Sequence, residues 1–416
     1  MFEHVPHETL LVSFTSSATP PATGAPHRQA LKWYNRGLSD LQKRMERNEM
    51  DSSYALLTCV LCTAVEFQQN NVGNAMDLLQ SGFRVLSQTL RSKKSTTSTQ
   101  MGFLSEVIMS FFTRHALVVA NFVMLPLSDW SDDSAAIHDA GPCTSTQSIQ
   151  VHRIRLQLYH LMYQAYQTVR VAVLMWQDPE IIRGLLLAQR VTLDELIRWR
   201  SFFTGYCSSH RDTMNEENMQ LLASHLLMCW DVCYIWLEAC TEISETSYDK
   251  HIDHFAEIII QSESVLAIVA QRPVEEQPQT KVVVDLAPPL YFTVMKCRDP
   301  VLRRKALALL EKAPPEGLWA DVLTAQVVQN AISLEEGRPY KPTDLTEPES
   351  LAELRTCAMP PENRRIQTIA FIGQEKTHTG YTLSLQVGRV TVDTSGKKRT
   401  VHENIRMENS TGLIAC

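Results

Sequence analysis

Apolar residues recur every three or four positions along most of the chain, the spacing of one helix face. In HRQALKWYNRGLSDLQKRM the positions are Leu31, Tyr34, Leu38, Leu41 and Met45, so an amphipathic helix is expected from about His27, after a polar, Pro-containing tail over 1–26 that reads as disordered. Asp51 to Gln68 is apolar on most sides and predicts a buried helix capped by Asp51 or Ser52. The turn QNNVGN precedes a third helix, opened by Asn74, with Ala75, Leu78, Leu79, Gly82, Phe83 and Leu86 on its apolar face. RSKKSTTSTQ reads as a solvated loop and Phe103 to Leu125 as a helix, followed by the exposed loop SDDSAAIHDAGPCTSTQ. Helical patterns then run over about 150–175, 178–189, 192–205 and 216–243, and Thr246 or Ser247 opens another.

After the break QRPVEEQPQTK, helices resume from Leu290 to Glu336. Asp299 before Pro300 is a helix start, because the carboxylate accepts exposed N–H groups and proline at the first helical position loses nothing. Leu302, Ala306, Leu309 and Leu310 are expected to face a core, and Pro314-Pro315 to stop the helix. Trp319, Val322, Leu323, Val327 and Leu334 predict the buried stripe of the next helix, closed by Gly337. A Pro-rich connector occupies 341–365. RRIQTIAFIGQ and TGYTLSLQVGRVTV alternate apolar and polar residues, with turn signals at Gly380 and Thr394-Ser395-Gly396, and predict two or three antiparallel strands within 366–416. The expected fold is mainly α, a repeat-like array of antiparallel helices over 27–340 with a small C-terminal antiparallel β element. No fixed period of the kind a consensus solenoid shows is present.

Charge refines this picture. A formal net charge of −7 argues against the body being a nucleic-acid binder, whose footprint is basic. The start lacks a basic n-region, and the apolar run from Ala116 to Leu127 falls short of the roughly 20 residues needed to cross a bilayer, so no membrane is expected as a partner. Cys59 and Cys62 sit in an apolar helical pattern, which favours core packing over redox or metal chemistry. His225, Cys229, Cys233 and Cys240 rise about 6 Å per four residues, too far for one zinc, and His251 and His254 read as an ordinary exposed helical pair. No metal site and no cofactor are therefore expected. Motifs such as GxSxG, a phosphate loop or GxGxxG are absent from the sequence, which is expected to be no enzyme.

The stretch from 295 to 336 carries a second layer of charge. Arg298, Arg303 and Arg304 lie near Asp299 in sequence; Glu316, Asp321, Glu335 and Glu336 are the acids that a folded-back second helix would bring close. At least one arginine is expected to make a bidentate, partly buried pair with one of them, fixing the register.

These same residues carry a resemblance. Cys297-Arg298-Asp299-Pro300, Arg303-Arg304 with Ala306-Leu307, Glu316-Gly317 with Trp319, and the ending in Glu335-Glu336 resemble, in this order, the C-terminal signature of the regulatory domain of fungal zinc-cluster transcription factors. YALLTCVLCTAVEFQQNNVGNAMDLLQSGFRVL is similar to its N-terminal signature, with Glu66-Phe67 ending an apolar helix and Gly82 in the next. The resemblance covers about 27–405 and implies an all-α nuclear transcription regulator, acting through partner factors or the transcription machinery, with self-association as a homodimer compatible. Members of this kind often serve metabolic gene clusters. In the family, DNA is read by a separate six-cysteine module holding two zinc ions. No cysteine precedes Cys59, so zinc and base-reading residues do not carry over, and DNA contact is expected only indirectly or through such a module. The alternative reading is a finger-less tetratricopeptide-like scaffold that holds partner peptides in a groove.

Overall fold

The computed structural model describes residues 25–47, 52–68, parts of 74–85, 146–175, 179–242 apart from 215, 244–271, 286–313, 322–376, 381–392 and 398–409. Its helices are α1 (Ala25–Glu46), α2 (Ser52–Gln68), α3 (Thr146–Met175), α4 (Pro179–Ser209), α5 (Glu217–Ala239), α6 (Ile252–Gln271), α7 (Ala287–Lys296), α8 (Pro300–Lys312), α9 (Val322–Glu336) and α10 (Pro348–Thr356). Three strands follow, β1 (Thr368–Lys376), β2 (Tyr381–Val392) and β3 (Lys398–Asn409). The protein is mainly helical with a small C-terminal antiparallel sheet, as the periodicity predicts. The helix expected from Phe103 to Leu125, the turns at Gly380 and Thr394-Ser395-Gly396, and Glu316, Gly317, Trp319 and Asp321 lie outside the described residues.

Helices α1 and α2 and the helical residues of 74–85 belong to one compact unit, and nearly all of the rest to a second. In the first unit, Leu56, Ala75 and Leu79 are core residues and Gly82 is buried. Glu66 is buried beside them, accepting from Tyr34 Oη at 2.7 Å and Asn74 Nδ2 at 3.4 Å. Burial and the Glu66 carboxylate push the Tyr34 phenol up. Phe67 lies in α2, and its side chain is outside the described set.

In the second unit α5 and α7 are central. Every residue of α7 from Ala287 to Lys296 is buried, including a lysine at its end. Among the described residues α5 is the one helix long and apolar enough, by length and composition, to cross a membrane, and 67% of its apolar window is buried inside the protein. That is what a central core helix requires. Trp230 Nε1 on α5 donates to Leu196 O of α4 at 2.7 Å, and Trp199 Nε1 on α4 donates to Ile154 O of α3 at 2.9 Å. Each indole thereby satisfies its one donor at a helix contact.

The helix expected to break near 190 is continuous. Leu185, Gln189, Thr192, Leu196, Trp199, Phe203 and Tyr206 are buried in alternating steps of four and three straight through it, with no Gly or Pro between 185 and 204 to stop the helix. The Pro-rich connector is likewise ordered, holding a 3-10 turn over Pro342–Leu345 and α10.

Asp299 opens α8 as its composition predicts. Asp299 Oδ1 accepts from Val301 N at 3.0 Å and Leu302 N at 2.8 Å, and Pro300 occupies the first helical position. Asp299→Ala is therefore expected to cost about 1 kcal/mol in a urea melt, the scale of one helix cap. Gly337 closes α9 with φ of +70°, a conformation other residues resist.

The sheet has the order β1-β2-β3, antiparallel, with Ile369 opposite Val387 and Leu385 opposite Ile405. Gly388 lets β1 and β3 flank β2 closely, because a Cβ there would collide with Thr368 Oγ1.

Candidate functional site

Two stripe positions in the α8–α9 hairpin are charged. On α8 the buried face is Arg303, Ala306, Leu307 and Leu310, with Leu302 only half-buried; on α9 it is Val327, Val328, Ala331, Ile332 and Glu335, with Leu334 half-buried. Arg303 and Glu335 thus stand at helical spacing within apolar seams, where a charge survives only with a partner. Arg303 Nη1 lies 2.5 Å from Glu335 Oε2, and Arg303 Nε donates to Val294 O of α7 at 2.7 Å.

The extended turn after α7 aims the next cation at the same carboxylate. Cys297 has ψ of 123° and its N–H bonds Thr293 O, so Arg298 leaves the helix and folds inward. Arg298 Nη2 reaches Glu335 Oε1 at 2.9 Å, Ile366 O at 2.9 Å and Glu245 Oε2 at 3.0 Å, while Nη1 donates to Lys296 O at 2.9 Å. Lys296 Nζ donates to both oxygens of Glu245, at 2.9 and 3.0 Å, and to Gln367 O at 3.1 Å. The Ile366 N–H donates to Glu335 Oε1 at 2.6 Å. Three cations, Lys296, Arg298 and Arg303, thus enclose two carboxylates, Glu245 and Glu335, all of them buried.

Two outer pairs extend the network. Arg304 meets Glu336 with a fork, Nη1 to Oε1 at 2.9 Å and Nη2 to Oε2 at 2.7 Å, and its Nε donates to Asp344 Oδ2 at 2.7 Å. This is the bidentate pair anticipated across the hairpin, and its planar geometry suits arginine and no other residue. Arg365 makes a second fork to Asp249, at 2.6 and 2.7 Å, and donates to Pro360 O and Glu245 O. Glu362 accepts from the N–H groups of Glu245 and Thr246, so the segment before β1 caps the 3-10 helix that carries Glu245.

Electrostatics follow this geometry. Burial pushes the Glu335 carboxyl up, but Arg298 and Arg303 outweigh it and hold the group below its ordinary range. Burial lowers Lys296 against the opposing pull of Glu245. The Cys297 thiol is pushed up to about 12 by burial, which leaves it a small apolar side chain. Each charge of the network faces an opposite one, and the pairs tie four separate segments together, although Arg298 Nε and Arg303 Nη2 are buried without a hydrogen-bond partner.

The histidine pair differs from its expectation. His251 is 2% exposed, facing Glu238 at 3.5 Å with Lys250, His254 and Tyr234 around it, and His254 Nδ1 bonds the buried Asp231 at 2.8 Å. The helix turns both rings toward α5 rather than to solvent. Among the described residues no group of three or more His, Cys, Asp or Glu is placed to hold a metal. Burial pushes His251 down to about 4. The unfolded chain takes up this proton near pH 6.5 and the folded chain does not until about pH 4, so stability falls as pH drops through that window. The group's contribution to unfolding free energy is expected to shrink by about 2 kcal/mol between pH 7 and pH 5. Urea melts of His251→Gln at the two values should show a correspondingly flatter dependence than the unaltered chain.

Of the residues singled out in sequence, Cys297, Arg298, Asp299, Pro300, Arg303, Arg304, Glu335 and Glu336 come together here, while Glu66 and Gly82 lie in the other unit. Lys296, Glu245, Asp249, Asp344 and Arg365 complete the network and were not anticipated as members. No protein-family profile, curated protein or solved structure matches the chain.

Proposed function

We propose that the chain is the regulatory domain of a fungal zinc-cluster type transcription regulator, working in the nucleus through contacts with partner factors or the transcription machinery. One observation supports this reading above others. Arg298, Arg303, Arg304, Glu335 and Glu336, five of the residues that carry the family resemblance, come from two stretches more than 30 residues apart into one network of ion pairs, as expected of a motif that specifies a domain. The network's ionised groups are consumed by one another, which fits a scaffold for macromolecular contact better than a centre for acid–base chemistry.

The test is to fuse the whole chain to an unrelated DNA-binding domain in a fungal reporter strain and to follow a fluorescent fusion in the same host. Nuclear accumulation with a reporter output that rises or falls at least several-fold is the expected result. A fusion excluded from nuclei and without effect on the reporter would overturn the reading.

A further inference from the structure

Thr400 stands where an exposed strand meets the charged interior. β3 is an edge of the sheet, and Arg399 and Val401 to Asn404 are exposed along it. Thr400 itself is half-buried, opposite Val390 of β2, and its Oγ1 donates to Gln367 Oε1 at 2.6 Å. Gln367 is fixed through its main chain: its N–H donates to Gly388 O at 2.8 Å, and its carbonyl accepts from Lys296 Nζ at 3.1 Å. One hydroxyl therefore links the edge strand to the residue that receives Lys296. Thr400 also follows Lys397, Lys398 and Arg399 in sequence, and Val401, 51% exposed, comes next. No other described Ser or Thr directly follows three basic residues. Cations before a hydroxyl and an apolar residue after it form the pattern by which protein kinases with acidic clefts select an extended substrate. An edge strand offers that extended form without unfolding the body.

We propose that Thr400 is a phosphorylation site for a kinase that selects basic residues, and that the phosphoryl group releases the start of β3 from Gln367. In the transfer Oγ1 attacks the γ-phosphorus of a nucleoside triphosphate. The Oγ1–P bond forms, the bond from that phosphorus to the bridging oxygen breaks, the nucleoside diphosphate leaves, and the hydroxyl proton passes through the kinase's base to solvent. The product carries a charge of about −1.5 to −2 at pH 7 and has lost the proton that Gln367 Oε1 accepted. The 2.6 Å contact leaves no room for phosphorus and its oxygens between the two groups. Gln367 is held at its N–H and its carbonyl, whereas among the described strands β3 has a neighbour on one side only, so the strand gives way. Lys296 keeps its carbonyl, and the helical body stays closed. This modification is independent of the transcriptional reading.

The test incubates the folded full chain with magnesium ATP and the catalytic subunit of cyclic-AMP-dependent protein kinase, and places the phosphate by mass spectrometry of the resulting peptides. The unaltered chain is expected to take up phosphate at Thr400. Thr400→Ser should keep the site and Thr400→Val should lose it. Lys397→Glu combined with Lys398→Glu, which leaves the hydroxyl in place, should slow the transfer about tenfold. Once phosphorylated, the amides of β3 should exchange with deuterium faster while those of α7 and α8 stay protected, and the urea midpoint should fall with the helical far-UV signal unchanged. Three results would overturn the inference. They are phosphate absent from Thr400 or found only in RSKKSTTSTQ, which has a similar basic approach; transfer to Thr400 only after the chain has been unfolded by heat; and a phosphorylated chain whose β3 amides exchange as slowly as before.

Discussion

Glu335→Gln lowers the unfolding free energy by about 4 kcal/mol in urea melts at neutral pH, the expected size for stranding buried cations. Glutamine keeps the shape and one oxygen for the Ile366 N–H, so a packing defect contributes little. What is lost is the charge that Arg298 and Arg303, both within 3 Å of the carboxylate, need inside a dry interior. Lys296, Arg298 and Arg303 would then share Glu245 alone. The Glu335 carboxyl is held below its ordinary range, so its contribution is present at neutral pH and is lost as pH falls below the ordinary carboxylate range. Glu349→Gln, at an exposed position of α10, serves as the reference and should change stability by less than about 0.5 kcal/mol. A loss at Glu335 as small as that reference would mean that the cations find other compensation and that the network contributes little.

How the network hides in the sequence is instructive. The hairpin was legible because its signals are local. Asp299-Pro300 and Gly337 act through the backbone within a few residues, and Arg304 and Glu336 are brought together once two adjacent helices fold back. The three strands were legible by alternation. Arg303 and Glu335 had a weaker signal, a charge continuing an apolar stripe at steps of three and four, which binary patterning assigns to solvent by default. Glu245 and Arg365 had none. Lys296 and Glu245 are 51 residues apart and Arg365 and Glu245 are 120 apart, and no local pattern separates Glu245 from Glu242, which pairs with Lys250 at an exposed position. His251 failed for a related reason. Its spacing from His254 was visible, but His251 ends the 3-10 helix that leads into α6, and the face of α6 that turns inward is set by Phe255, Ile258 and Ile259.

A chain ending at Cys357 is expected to lose cooperative unfolding altogether, although every helix from α1 to α10 remains in its sequence. The C-terminal sheet reads as an appendage by composition, yet the residues that lead into it close the charged interior. Removing them takes away the Ile366 N–H from Glu335, the Ile366 carbonyl from Arg298, the Gln367 carbonyl from Lys296, and the whole of Arg365 from Asp249 and the Glu245 carbonyl. Each buried polar group left without its partner costs about 1–3 kcal/mol, more for ions, and five such losses together approach the 5–15 kcal/mol that holds a domain folded. A chain ending at Asp393 separates this effect from loss of the sheet as such. It lacks β3 but keeps Glu362, Arg365, Ile366 and Gln367 with β1 and β2, so it should still melt cooperatively, at a reduced midpoint. Near-UV circular dichroism and urea melts of the two shortened chains decide the matter. If the chain ending at Cys357 unfolds with the midpoint and slope of the full protein, the strands are an accessory and the helical body is closed without them; if it behaves as a collapsed state with helical far-UV signal and no sharp transition, residues 360–367 are the final strip of its core.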